Sequence, residues 1–162
     1  MTPILCPSTE PAIRRGIKTV GIGKKGSKPL DPALIKEIVS DLKENKVLPA
    51  AKGAFFAALI LKGVNAEERA LEEAYSPGIL KDLKRLVETI SPEAPDFIKE
   101  ICVGILQGRT LNTSTAHRLG EFLFSNEPGE GARGLIASAL RVRYETPDEY
   151  EGLLLSMQAT LE

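Results

Sequence analysis

Three groups of residues have the types and spacings that could do chemistry. Gly21, Gly23 and Gly26 fall at G-x-G-x-x-G spacing, with Lys24, Lys25 and Lys28 among and just after them. Backbone amides beside a helix start, backed by lysines, are the chemistry of a phosphate cradle. A dinucleotide site, however, needs a strand before the glycines and a helix opening on them. A P-loop needs a lysine directly after its last glycine, and the chain has Ser27 there. Neither motif is met, because Pro29 and Pro32 delay the next helix to Asp31. What remains is a weak candidate anion site of Lys24, Lys25, Ser27 and Lys28.

The second group is His117, Cys6 and Cys102. An isolated histidine with no nucleophile at meaningful spacing reads as a surface or half-buried residue. Cys102 falls on an apolar helix face and reads as an inert small hydrophobe. One His and two scattered Cys do not make a zinc site of usual spacing, so no metal site is assigned. The third group is Glu67, Glu68, Asp148 and Glu149. These carboxylates lie in first helical turns, where the helix dipole alone accounts for them. Arg141 and Arg143 lie two apart, so they diverge on a helix and form no single clamp. No catalytic residue is assigned.

The elements that must position these residues are helical. In residues 31–45, Leu34, Ile35, Ile38, Val39 and Leu42 trace one helix face behind an Asp31-Pro32 start. Residues 50–62 end at Gly63, a natural helix stop. Asn65 and Glu68 have the form of a capping box opening another helix. Further helices are predicted over residues 79–90, 95–107, 112–125, 132–143 and 146–161, the last opened by Thr146 with Pro147 behind it. Residues 17–22 alone could pass for a strand.

Self-comparison removes that strand. A shift of 81 positions lays residues 30–76 on 111–157 without a gap, with 8 identities in 47, where composition alone gives roughly three. Functions match as well as letters: Asp31 meets Asn112, Lys52 meets Arg133, Gly53 meets Gly134, Lys62 meets Arg143, and Asn65 meets Thr146. Under the same shift Ile17, Val20 and Ile22 fall on Ile98, Ile101 and Val103, which are helical. Residues 11–22 therefore read as a helix, and the glycines as its frayed end and a loop. The expected fold is all-α, with two similar small helical-bundle units packed together and no significant sheet. Residues 1–77 form the first, residues 78–94 a connecting helix and linker, and residues 95–162 the second.

Composition bounds the function classes. The 162 residues are 43% hydrophobic and 5% aromatic, with no Trp and a net charge of −1. That is an ordinary globular balance with an aliphatic core. No apolar run approaches the roughly 20 residues of a membrane span, and no signal peptide is visible. Two unpatterned cysteines suit a reducing cytoplasm. Residues 1–30 carry six Lys and Arg against Glu10 alone. That basic arm is the basis of one alternative reading, a weak phosphate or nucleic-acid binder; nucleic acid is otherwise not an expected partner.

The second unit carries a family pattern. Leu106, Gly108 and Leu111 match a Leu-x-Gly-x-x-Leu turn. Ala137, Ala139, Leu140, Arg141, Arg143, Glu145, Thr146 and Glu149 match a small-residue helix followed by a capped one. The first unit repeats it from Ala54 to Glu68, with Lys62-Gly63 closer to the pattern than Arg143-Tyr144. In this the chain resembles the N-terminal helical domain of anthranilate phosphoribosyltransferases and pyrimidine nucleoside phosphorylases, used twice where the family uses it once. The resemblance implies a dimerisation region and one wall of a substrate cleft against an α/β domain. Mg²⁺ and phosphoribosyl diphosphate would belong to that domain. The family's Gly-Thr-Gly-Gly-Asp loop and metal-binding carboxylates are not in this sequence, so the chain alone is expected to be inactive and to hold no cofactor. The expected partner is a second copy or a C-terminal catalytic domain. The expected interface is Phe55, Phe56, Leu59, Leu135 and Leu140. The alternative is a free-standing helical dimerisation or adaptor module.

Overall fold

The computed structural model describes residues 10–21 and 27–161, and every element among them is helical. The helices are α1 (Ala12–Val20), α2 (Pro32–Lys43), α3 (Pro49–Lys62), a 3₁₀ segment (Glu68–Ala74), α4 (Leu83–Ile90), α5 (Asp96–Leu106), α6 (Thr113–Leu123), α7 (Glu130–Arg143) and α8 (Pro147–Leu161). The all-α architecture thus stands. Among the described residues, no helix is long and apolar enough to cross a membrane.

Local chemistry sets the boundaries. Asp31 caps α2 by accepting from Ala33 N, with Pro32 in the first turn. Asn112 caps α6 in the same way, from Thr115 N. Gly63 ends α3 at φ 101°, where its amide reaches the carbonyls of Leu59 and Ile60. The residue 81 positions on is Tyr144, which holds φ 66° without a glycine's freedom. Two expectations shift. α4 begins at Leu83 rather than near residue 79, because Gly78 turns at φ 80° and Asp82 caps the helix by accepting from Arg85 N. The segment after Asn65 is 3₁₀ rather than α.

That second difference separates the two units. In the second unit α8 lies close on α6, since a Cβ on Gly120 would strike Ser156 and one on Gly152 would strike the Thr113 carbonyl. The equivalent positions in the first unit are Val39 and Leu71, both buried. Bulk there prevents the close approach that an α8-like helix requires.

The core is continuous across the units. α3 and α7 cross at its centre, and α2 and α6, at equivalent places in the two units, meet the 3₁₀ segment and α8 respectively. The crossing is reciprocal. A Cβ on Gly53 would overlap the Gly131 carbonyl, and one on Gly134 would overlap the Ala50 carbonyl. Since 50 and 131, and 53 and 134, are repeat equivalents, the two units face each other as an isologous pair within one chain. Ser138 adds one asymmetric tie, donating to the Ala54 carbonyl at 2.7 Å.

Candidate functional site

The most constructed polar sites are two buried carboxylate clasps, one per unit. Glu68 is fully buried. Its Oε2 accepts from Leu30 N at 2.9 Å, and its Oε1 from Asn65 N at 3.0 Å and Lys62 Nζ at 2.8 Å. Asn65 Oδ1 accepts from Glu68 N in return. Glu149, 81 residues on, repeats the two amide contacts and replaces the lysine by an arginine. Oε2 accepts from Leu111 N at 2.8 Å, Oε1 from Thr146 N at 2.8 Å, and the Arg143 guanidinium grips both oxygens at 2.9 and 3.1 Å. Burial pushes the Glu149 carboxyl up, but Arg143 and the amides of Thr146 and Leu111 outweigh it, so the group titrates below the ordinary carboxylate value. Each clasp pins the loop before one helix to the start of a helix 38 residues later. These are structural devices: every carboxylate oxygen faces a donor of the same chain. The sequence showed the capping half of each clasp, and it showed Lys62 and Arg143 in register. The long reach to Leu30 and Leu111 had no local signal.

The candidate anion loop is divided. Lys24 and Lys25 lie outside the described residues. Ser27 Oγ donates to the Val20 carbonyl at 2.7 Å, and Lys28 N donates to the Thr19 carbonyl at 2.9 Å. Both therefore cap the end of α1. The next helix start, where an anion would be favoured, already holds the Asp31 carboxylate.

The expected interface residues are core residues. Phe55, Phe56, Leu59 and Leu135 have no exposed surface and Leu140 is 8% exposed. They fill the space around the α3–α7 crossing, so they have no surface to offer a partner. This corrects the expected interface. The small-residue helices α3 and α7 do pack closely, but on each other, between the two units of one chain.

The remaining candidates are quiet. His117 is half-buried, 3.8 Å from Glu121 one turn on. Cys102 is fully buried, and burial pushes its thiol up to about 12. Among the described residues no group of three or more His, Cys, Asp or Glu is placed to hold a metal ion.

Among the described residues, two surface features are left without partners. One is on α8, which carries Tyr150, Leu155, Met157 and Leu161 among the exposed large hydrophobics. Tyr150, Leu154, Met157 and Leu161 recur at helical spacing, on a side of α8 away from its buried Gly152 and Ser156. Glu151 flanks this stripe. The other is a groove of about 670 Å³ between α1, α3 and α7, floored by Ala50, Ala54, Gly134 and Ala137 and rimmed by Lys18 and Arg141. Comparison with protein-family models, curated proteins and solved structures finds no match to the chain.

Proposed function

We propose that this chain is an assembly module: a helical body that binds a second copy of itself. In the terms of the family it resembles, it is the helical region of an anthranilate phosphoribosyltransferase-like glycosyltransferase. It would supply the dimer contact and one wall of the substrate cleft, while an α/β domain carries the chemistry. The observation that carries the assembly reading is the apolar stripe of α8. Four aromatic and aliphatic side chains on one helix face mark a contact surface rather than scattered surface hydrophobes. The helix matching α8 is also the one after which the family's catalytic domain follows, so a covering body at this face suits both forms of the reading. A free-standing adaptor uses the same stripe for another protein.

The test is mass in solution. Sedimentation equilibrium from about 1 to 100 μM, the range of ordinary protein contacts, should show a dimer. Met157→Glu should return it to 17.5 kDa with helical circular dichroism intact. A wild-type chain that stays at 17.5 kDa throughout removes the self-assembly reading.

A further inference from the structure

The geometry points to the groove between α1, α3 and α7 as the seat for α8 of a second copy. This deepens the assembly reading and rests on it.

The internal repeat shows what such a groove takes. Relating the two units by 81 residues maps α1, α3 and α7 onto α5, α7 and α3. The equivalent groove is therefore the one between α5, α7 and α3, and it is occupied by α4. Leu86, Val87 and Ile90 of α4 are buried there. A Cβ on Gly131, the equivalent of Ala50, would strike the Ile90 carbonyl, so α4 sits backbone-close on the floor. Lys99, the equivalent of Lys18, holds α4 by an ion pair to Glu88 at 3.0 Å. The molecule thus contains a worked example: an amphipathic helix with apolar residues at i, i+1 and i+4 and a carboxylate for the rim lysine.

In the open groove the floor is lined by small side chains, which leaves room for a bulky apolar helix face. Its rim cations are Lys18 and Arg141. Lys18 pairs with Glu10. Arg141 makes no ion pair among the described residues. The occupant must supply apolar side chains along one helix stripe and at least one carboxylate beside it. On this chain α8 has both, in Tyr150, Leu154, Met157 and Leu161 with Glu151 at their flank. Arg141 at the rim and the carboxylate flanking the stripe are opposite in sign. Two such contacts related by a two-fold axis close a dimer.

The experiment uses the full chain and a charge exchange. Arg141→Glu and Glu151→Arg should each raise the dimer dissociation constant at least about tenfold, the scale of a lost interfacial charge pair. Mixed one to one, the two variants should regain the dimer, because each of its two contacts again joins opposite charges. Ala137→Trp, at an exposed position, should block the groove while circular dichroism stays unchanged. A wild-type dimer that Met157→Glu splits but Ala137→Trp and Arg141→Glu leave intact overturns the groove as the seat of α8, and leaves the assembly reading standing. A wild-type monomer overturns both. A second measurement separates occupants of the groove. Ala137→Cys combined with Met157→Cys should oxidise to a covalent dimer. An intramolecular disulfide from Ala137→Cys to Cys6 instead would assign the groove to the chain's own first residues and overturn the proposal.

Discussion

Glu68 and Glu149 each bring a charge into the protein interior, and what makes that tolerable is the number of donors around it. Each carboxylate faces two backbone amides and one cation. Deleting one partner is costlier than forming the pair was favourable, because the other partners stay buried. Glu149→Ala should therefore cost about 3–5 kcal/mol, and Glu68→Ala a similar amount. Glu149→Gln, which keeps the shape but points an amide at a donor, should cost about 2 kcal/mol. Urea unfolding measures all three. The pH dependence has a definite sign. The Glu149 carboxyl is lowered from 4.5 in the folded chain, so its contribution is fully present above that value. It is lost as pH falls below 4.5 through the folded value. Glu149→Gln should flatten the acid side of the stability curve and leave the neutral side parallel to wild type. From sequence these two glutamates read as first-turn charges and half of a capping box. That much is local, and the local part was correct. Their burial is set by partners 38 residues away in Leu30 and Leu111, and pairing at that range leaves no trace in periodicity.

At the scale of elements, the same substitution changes sign with the helix that receives it. Glycine to alanine inside a helix gains about 1 kcal/mol of propensity. At Gly104 of α5 nothing lies closer than 3.8 Å to an added Cβ, so Gly104→Ala should stabilise by about that amount. At Gly53 and Gly134 the added atom meets a backbone carbonyl of the partner helix. A carbonyl cannot step aside as a side chain can, so α3 and α7 must separate. Gly53→Ala and Gly134→Ala should each destabilise by about 2 kcal/mol net of the propensity gain, and more if the crossing cannot relax. Thermal melts of the three variants give the two signs directly. Most helices were legible because caps and apolar spacing are written in consecutive residues: Asp31, Asn112 and Gly63 act where the sequence places them. The 3₁₀ segment was not, because its capping box is as good as that of α8. The difference lies in Val39 and Leu71 against Gly120 and Gly152, residues that meet only when two helices pack.

At the scale of the molecule, the repeat builds one continuous core rather than two. Sequence comparison found the offset and implied that the copies pack together, but it gave no sign of the reciprocal α3–α7 crossing that joins them. The expected interface at Phe55, Phe56, Leu59, Leu135 and Leu140 was an interface, but an internal one. Each unit alone would expose the α3 or α7 face that now meets its equivalent. A unit of roughly 80 residues that loses such a face has little core left to offset chain entropy. Fragments 1–77 and 78–162, divided at the exposed turn Pro77-Gly78, test this. A break there cuts no buried backbone, so reassembly should be tolerated. Separately, each fragment should show weak helical circular dichroism and a broad, uncooperative melt. Mixed one to one, they should recover most of the helicity of the intact chain and a single transition at lower temperature, because association now carries a concentration-dependent cost. Gly53→Ala in the first fragment should weaken that recovery, since reassembly passes through the α3–α7 crossing. If fragment 1–77 instead folds cooperatively as a monomer, the units are independent domains, and the reciprocal crossing is a contact between finished parts rather than the core that makes them fold.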